Sequence, residues 1–343
     1  MQDFDLHMHT TYCDGNNSAE EMIRSAIDHK LRTVGLSGHS FTPFDTSYCM
    51  SREGTEQYIA EVTALKKKYA DRINVLLGLE LDYYADTDTS PYDYLIGSVH
   101  YLFTEDGSEW TPVDEGPYFL RAFALKHGMN MMSVARLYYE TVGSVVSRTN
   151  CDIIGHFDLL TKFNERYRLE PDESVIDTFV ETEAKCRVAL SDASEQAAAS
   201  GDASGDAAEQ CAESCETSGI AAEQCDSDTQ DETIVFFDTA DPEYVAAWKK
   251  AIDRIFEECA ARYKRGYRNR LETLGIIEAG DKPVFEINTG AISKGYRTTP
   301  YPSADQMDYI RSKGGILILS SDSHKTDTIC SEFDKYDSCR TQF

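Results

Sequence analysis

Seven apolar runs alternate with helical segments along this chain, and six of the runs end in a histidine or an acidic residue. The runs cover residues 4–9, 33–39, 73–80, 94–100, 151–156, 284–288 and 315–324. Continuous apolar runs of this length are typical of buried parallel strands, because helices cover both faces of such a sheet. Seven strands are many for a small sheet, and no glycine-rich dinucleotide-binding motif follows the first one. The alternation therefore predicts an α/β fold, closed into a barrel rather than doubly wound.

The segments between the strands carry helix start signals. Ser18 precedes a glutamate at capping-box spacing, which predicts a helix that begins there. Residues 54–70 place apolar side chains close to helical spacing. Asp241 is an expected N-cap because a proline follows it at the first turn. A smaller helix is expected after Ser303.

One stretch of the chain has a composition unlike the rest. Residues 192–232 hold 12 aspartates and glutamates and no lysine or arginine. Such a segment, rich in alanine, serine and glycine, cannot bury enough apolar surface to offset the entropy of ordering. We expect one barrel domain over residues 1–343, interrupted by a disordered acidic insertion at about 191–233. An alternative use of the stretch is a metal or redox cluster of its cysteines, Cys211, Cys215 and Cys225. No histidine and no Cys-x-x-Cys motif accompanies them, which disfavours that alternative.

The charge of the chain limits its partners. The net charge is −27, and the rest of the chain carries −15 because the insertion contributes 12 negative charges. This charge repels nucleic acid and anionic membranes, so we expect neither as a partner. No apolar run reaches about 18 residues, and no basic stretch followed by an apolar one begins the chain. The 10 cysteines are then expected to be reduced thiols of a cytoplasmic protein.

The residues at the predicted strand ends indicate a metal centre. Reactive groups of a βα barrel lie at the carboxyl ends of its strands. A histidine at one strand end, taken alone, is more often a hydrogen-bonded residue than a ligand, but six of the 8 histidines lie at such ends. Imidazole and carboxylate suit zinc, iron or manganese. The candidate ligands are His7, His9, Asp14, His39, Glu80, His100, His156, Asp322 and His324. This set exceeds the three or four ligands of one zinc ion, so we expect two or three divalent ions with a bridging carboxylate.

The order of these motifs resembles a known family. H-x-H, G-H-S, G-x-E, S-V-H, G-H-x-D and S-D-S-H follow one another between His7 and His324, and together they are similar to the polymerase and histidinol phosphatase (PHP) family. GHFDLLTKF (155–163) and FEINTGAISKGYRTTPYPS (285–303) most resemble its histidinol-phosphatase branch. The resemblance implies a distorted (β/α)7 barrel. It also implies metal-dependent hydrolysis of L-histidinol phosphate to L-histidinol and phosphate, a step of histidine biosynthesis.

The resemblance further implies how the ligands are shared. One ion would bind two histidines, His7 and His9, and two carboxylates, Glu80 and Asp322. Glu80 would bridge to a second ion with His100 and His156. A third ion would take Asp14, His39 and His324, although Asp14 stands where some relatives have histidine. In this chemistry a metal-bridging hydroxide would attack phosphorus. The proton for the leaving group would come from Asp322, from His324 or from a bound water.

Three residues outside the ligand set are candidates for substrate contact. Arg297 lies after the sixth strand, where its guanidinium could clamp the phosphate group. Lys162 after the fifth strand could do the same. Either side chain could instead be an ordinary solvated charge. Asn288 could orient a ligand or the substrate, or simply cap its loop.

Two other classes of function remain open from the sequence. The chain could be a related phosphoesterase that acts on nucleotides or phosphotyrosine. It could also be a non-catalytic metal-binding protein, although the complete ligand set disfavours this. In every enzymatic case the expected partner is a small-molecule phosphate monoester, and the sequence leaves the oligomeric state open.

Overall fold

The computed structural model describes residues 2–116, 118–165 and 237–342, so the expected insertion at 191–233 lies outside the described residues. The strands are β1 (Phe4–Asp5), β2 (Thr33–Leu36), β3 (Asn74–Asp82), β4 (Tyr94–Ser98), β5 (Tyr101–Phe103), β6 (Trp110–Pro112), β7 (Ile153–Ile154), β8 (Val284–Asn288) and β9 (Ile316–Ser320). The helices, numbered over the same residues, are α1 (Ala19–Asp28), α2 (Arg52–Lys68), α3 (Phe119–Lys126), α4 (Met131–Val142), α5 (Val145–Thr149), α6 (Pro242–Lys264), α7 (Arg270–Thr273), α8 (Gly290–Ser293), α9 (Ala304–Ser312) and α10 (Phe333–Tyr336).

Seven of these strands form one parallel sheet that almost closes into a barrel. Their order is β1-β2-β3-β4-β7-β8-β9, and every neighbouring pair is parallel. The first and last strands meet at their carboxyl ends, where the amide of His9 donates to the carbonyl of Ser323 at 2.8 Å. The side chain of Gln2, which precedes β1, also bonds the backbone amide and carbonyl of Leu319 in β9. The predicted barrel of seven strands is confirmed.

Several strands are shorter than the apolar runs from which they were predicted. The first regular strand ends at Asp5, so His7 and His9 lie beyond it rather than within it. The fourth ends at Ser98, and the chain then forms the antiparallel β5–β6 hairpin, which no local pattern signalled. The last strand ends at Ser320, before the Asp322 and His324 motif. Beyond the regular strands, only isolated parallel bridges between described residues continue the pairing there, between Met8 and Ser323 and between His39 and Glu80.

The helix start signals are confirmed, with one difference. Ser18 forms the reciprocal capping box with Glu21, and Asp241 caps α6 with proline in its first turn. A second capping box begins α9 at Ser303. The α2 helix begins two residues earlier than residue 54, because the hydroxyl of Ser51 accepts from the amide of Gly54 and so caps it.

The amino-terminal half of the barrel interior is apolar. A core cluster there includes side chains from β1, β3, β4, β7, β8 and β9. Tyr94 crosses this interior and donates its hydroxyl to the carbonyl of Leu6. A Cβ atom at Gly78 would lie 2.3 Å from the Tyr94 ring, so only glycine admits that ring. No helix among the described residues is long and apolar enough to cross a membrane.

Candidate metal centre

The carboxyl end of the barrel collects all nine predicted ligand residues around one buried glutamate. Glu80, at the end of β3, is 1 % exposed. Its two carboxylate oxygens lie 2.9–3.5 Å from ring nitrogens of five histidines, His7, His9, His39, His100 and His156. These histidines follow four different strands, β1, β2, β4 and β7, so only the closed barrel brings them together. A carboxylate in this position has the geometry of a bridging ligand.

The cluster divides into overlapping groups whose ligand atoms lie within 4.8 Å of one another. The groups are His7, His9 and Asp322; His39, Glu80 and His100; and His9, Asp14, His39 and His324. His156 joins through its Nε2 atom, 2.9 Å from Glu80. The predicted residues are therefore close together, although His9 and His39 each belong to two groups rather than one.

Carboxylates behind the histidines orient their rings. Glu286 accepts from Nδ1 of His7 at 2.9 Å, and Asp82 lies 3.2 Å from Nδ1 of His100. Each contact turns the Nε2 atom of its ring toward the centre. Histidines that bind metals usually have such a carboxylate partner, which raises the basicity of the ring.

The sequence analysis did not predict that Glu286 and Asp82 belong to the site. A local signal for Asp82 existed, because it stands two residues after Glu80 on the same strand. Side chains two residues apart share one face of a strand. Glu286 has the same relation to Asn288. The amide of Asn288 donates to Glu286 at 2.9 Å and to Asp322 at 3.2 Å, so this asparagine links the two carboxylates.

The hydrogen bonding at the centre fits a divalent cation. Nε2 of His7 and Oε2 of Glu80 are 3.2 Å apart and buried, yet neither makes a hydrogen bond to any described residue. Nε2 of His9 is also buried and makes no hydrogen bond to the described residues, although the carboxylates of Asp322 and Glu80 lie 3.2 and 3.5 Å away. Buried polar atoms left unpaired are costly, so such convergence needs a ligand. Nitrogen and carboxylate oxygen are the donors that zinc, iron and manganese accept.

The pKa values of the histidines are shifted by burial and by the neighbouring charges. Burial lowers the pKa of His39, but Glu80 and Asp14 outweigh burial and raise that pKa to about 9. Burial together with the charges of His324 and His39 lowers the pKa of His9 to about 3. The raised pKa of His39 favours a proton on its ring at neutral pH, and a bound cation would replace that proton.

The backbone also positions Asp322. Its φ of 49° lies in the left-handed region, which is uncommon for residues other than glycine. A Cβ atom at Gly290 would lie 2.7 Å from that of Asp322, so the first residue of α8 must be glycine for the carboxylate to fit. The carboxylate then lies 3.2 Å from Nε2 of His9.

A cavity of about 290 Å³ opens above these ligands, and two lysines line it. Lys162 lies beside Asp114, with Nζ 2.8 Å from its carbonyl oxygen and 2.9 Å from its carboxylate. Lys294, which the sequence interpretation missed, places Nζ 3.3 Å from Nε2 of His324. The sequence did indicate Lys294 indirectly, because this lysine lies in the motif after the sixth predicted strand, which is β8. Small-molecule sites in proteins occupy roughly 300–1,000 Å³, so this cavity suits a small ligand.

Arg297 has a different environment from the one expected. Its side chain is buried, and NH1 donates to the carbonyl and the hydroxyl of Thr161. Nε donates to the carbonyl of Thr299, and the guanidinium stacks 4.6 Å from the Tyr301 ring. It is not among the residues that line the cavity. These contacts join the segment after β7 to the segment after β8.

Comparison with known proteins gives the same assignment. Residues 5–190, more than half of the chain, match the model of the PHP domain. The "probable histidinol-phosphatase" of Deinococcus radiodurans is 32 % identical over 179 residues, which are 49 % of this chain and 64 % of that protein. The histidinol-phosphatase of Bacillus subtilis is 27 % identical over 51 % of this chain and 73 % of its own length. The chain thus matches less than two thirds of the Deinococcus protein.

Solved structures share the fold of the described residues. A crystal structure of a Listeria monocytogenes protein matches with a TM-score of 0.59 and 15 % identity, over 97 % of this chain and 99 % of that one. The histidinol phosphate phosphatase of Lactococcus lactis, crystallised with zinc, L-histidinol and phosphate, has a TM-score of 0.54 and 17 % identity, over 98 % and 92 % of the two chains. From its sequence match, its barrel and its cluster of histidines and carboxylates, this chain belongs to the PHP domain family.

Proposed function

We propose that this chain is a metal-dependent phosphatase that hydrolyses L-histidinol phosphate to L-histidinol and phosphate. The observation that carries the proposal is the contact of one buried glutamate, Glu80, with five histidines at the barrel mouth. Relatives named histidinol-phosphatase support the choice of substrate. The zinc, L-histidinol and phosphate in the Lactococcus lactis structure support it further.

The ligand groups described above would hold two or three divalent ions, with Glu80 between them. Bound ions supply hydroxide at neutral pH and neutralise charge on the phosphoryl oxygens. In the reaction, water adds to phosphorus and the bond from phosphorus to the alcohol oxygen breaks. The leaving alkoxide takes a proton, so the products are the alcohol and inorganic phosphate.

The lysines of the cavity are the candidates to bind the phosphate group. Lys162 and Lys294 both line the cavity, and each ammonium can donate to a phosphoryl oxygen. Arg297 is then a positioning residue, because its bonds to Thr161 hold the segment that carries Lys162. Its loss would lower activity through the position of that lysine. Asn288 would act in a similar way through Asp322.

We assign the proton for the leaving group to His324 rather than Asp322. Burial opposes the ionisation of Asp322, but Lys294 and the His7 ring hold its pKa well below the usual range. The Asp322 carboxylate is therefore charged near neutral pH and has no proton to give. The Nε2 atom of His324 lies 3.0 Å from the carboxylate of Asp14, a contact in which the ring nitrogen can hold a proton. A third ion on His324 would take up this nitrogen, and a water molecule would then supply the proton instead.

The test is a metal analysis joined to a substrate panel. The purified chain is analysed for zinc, iron and manganese, then reconstituted with each. It is assayed on histidinol phosphate, p-nitrophenyl phosphate, nucleoside monophosphates and phosphotyrosine. We expect the highest kcat/KM on histidinol phosphate. His7→Ala is expected to lose bound metal and activity, whereas His29→Ala, at an exposed histidine outside the centre, is the control.

Each alternative function has its own outcome in this panel. Faster hydrolysis of nucleotides or phosphotyrosine would overturn the substrate assignment and leave a metallophosphatase. Bound metal without hydrolysis of any ester would indicate a non-catalytic metal-binding protein. Full activity in metal-free His7→Ala protein would exclude the centre altogether.

A further inference from the structure

The wall of the metal cavity contains a carboxylate that no cation neutralises. Asp45 lies in the loop after β2, is half-buried and lines the same cavity as the two lysines. It makes no ion pair with any residue in the described part of the chain. By contrast, Asp114 in the same wall pairs with Lys162, and Asp14 lies among histidines. Asp45 therefore has a free negative charge toward the cavity.

Hydrogen bonds hold this carboxylate in one orientation. The amide and the hydroxyl of Ser47 donate to Oδ1 of Asp45 at 3.1 and 2.6 Å. The hydroxyl of Tyr101 donates to Oδ2 at 2.8 Å. Phe44, the preceding residue, packs its ring 4.9 Å from Tyr101 and 5.1 Å from Trp110. The loop is thus anchored to the β5–β6 hairpin, and Asp45 is oriented before any ligand arrives.

An aromatic ring, that of Tyr48, lies between the metal centre and Tyr101, the residue that donates to this carboxylate. Tyr48 lines the cavity, and its ring is 4.7 Å from that of the ligand His39 in an edge-on arrangement. The same ring lies 6.1 Å from Tyr101. A carboxylate and an aromatic ring in the wall of one cavity are a favourable environment for an organic cation, because charge and ring quadrupole both attract it.

The cavity therefore has two kinds of charge besides the metal ligands. Lys162 and Lys294 offer positive groups to the phosphate, and Asp45 offers a negative group to another part of the ligand. A phosphate monoester without a cation would leave the Asp45 carboxylate unpaired as it enters. An ester with an ammonium or imidazolium group would neutralise it.

We propose that Asp45, with the Tyr48 ring, binds the cationic part of the substrate and so selects phosphate monoesters that carry an ammonium or imidazolium group. This inference rests on the proposed phosphatase function and names the residue that sets its specificity. Asp45 acts in binding and takes no part in the breaking of the bond to phosphorus.

The test compares Asp45→Asn with a matched control. Asparagine keeps the oxygen that accepts from Ser47, and its amide can donate to the Tyr101 hydroxyl, so the loop keeps its contacts. Asp88→Asn is the control, because Asp88 accepts from the amide and hydroxyl of Ser90 in the same local arrangement but does not line the cavity. We measure kcat/KM on histidinol phosphate and on p-nitrophenyl phosphate, which has no cation.

We expect the ratio of the two kcat/KM values to fall about tenfold or more in Asp45→Asn, through KM, and to stay unchanged in Asp88→Asn. This factor corresponds to one charge-assisted contact. A second measurement uses L-histidinol alone, titrated calorimetrically into metal-loaded protein. Its affinity should fall by a similar factor in Asp45→Asn.

The outcomes separate this inference from the proposed function. A wild-type chain that hydrolyses neither ester would overturn the proposed function. A wild-type chain that prefers histidinol phosphate, with an Asp45→Asn variant of equal ratio and equal L-histidinol affinity, would overturn the role of Asp45 alone. Loss of both activities in the variant with unchanged L-histidinol affinity would likewise contradict a role in cation binding.

Discussion

The two ends of the barrel interior are built from the same strands and have opposite chemistry. On β3, Leu76 belongs to the apolar cluster near the amino end, and Glu80, four residues further along the same face, is the centre of the histidine cluster. The β8 strand repeats the change from Val284 to Glu286. All four of these side chains are almost inaccessible to water. Burial therefore stabilises the apolar end, whereas at the other end it leaves charged and polar groups without enough partners.

This difference shows which end depends on a ligand. The apolar layer gains stability from the removal of its surface from water and needs nothing else. The polar layer pairs carboxylates with protonated rings and still leaves buried atoms unbonded. Binding of cations is expected to complete this layer, and the free energy of that binding adds to the stability of the fold.

The largest expected effect comes from changing the polar layer at its centre. Glu80→Gln removes a charge that would offset two cations while keeping the side chain's shape. We expect loss of at least one bound metal ion per chain and of nearly all phosphatase activity, with the fold retained. Metal analysis, turnover and circular dichroism check this. A Glu80→Gln protein with full metal content and wild-type turnover would show that Glu80 is not a ligand.

The matched change in the apolar layer should act on stability. Leu76→Ala, on the same strand and face, removes buried methyl groups and leaves a cavity. We expect a loss of about 2–5 kcal/mol in the free energy of unfolding. Metal content per folded chain should stay at the wild-type level. Denaturant unfolding measures the first quantity and metal analysis the second. Metal loss in Leu76→Ala at temperatures where it is folded would mean that the two layers are not independent.

A smaller effect is expected in how the Tm of the protein depends on pH, because the polar layer contains histidines and the apolar layer does not. Without bound cations, the pKa of His39 is raised from 6.5 to about 9, chiefly because Glu80 and Asp14 outweigh its burial. A raised pKa stabilises the fold fully below pH 6.5, and this contribution is lost as the pH rises through about 9. The Tm of chelator-treated protein should therefore fall across this range.

Zinc should remove this dependence, because the cation takes the place of the proton on His39. The metal-loaded protein should show a flatter Tm between pH 6.5 and 9. Zinc binding near pH 7 should also release protons, detected as a binding heat that varies with the ionisation enthalpy of the buffer. Equal slopes of Tm for both forms would argue against cation binding at His39.

The smallest effect is expected from the acidic stretch. The side chain of Asn164 bonds both the carbonyl and the amide of Phe237, at 2.9 and 3.1 Å, so the described chain ends on either side of the stretch lie together. Replacing residues 192–232 by a short linker should then leave cooperative melting and metal content unchanged, since loop closure costs little. Loss of cooperative melting would overturn this. Retained folding with lower turnover would indicate that the stretch contributes to the site.

Much of the fold and part of the site could be predicted from local patterns. Strand and helix alternation, the capping residues and the chemistry at the strand ends are properties of neighbouring residues, and they predicted the seven-stranded barrel and the ligand types. The β5–β6 hairpin was missed because its short strands carry no alternation long enough to detect. Strand ends were placed too far along because apolar character continues after the ladder has ended.

What the sequence determined by itself is which chemical groups each strand end carries; only the tertiary structure decided which of them meet. Glu286 faces His7 across 279 positions of the chain, and Arg297 reaches Thr161 across 136. No local pattern encodes contacts over such separations, because they depend on how the closed barrel orients each side chain. The same reason explains why the burial of Arg297 was not predicted. The sequence shows that this residue is charged, but its burial against Thr161 and Tyr301 depends on tertiary packing.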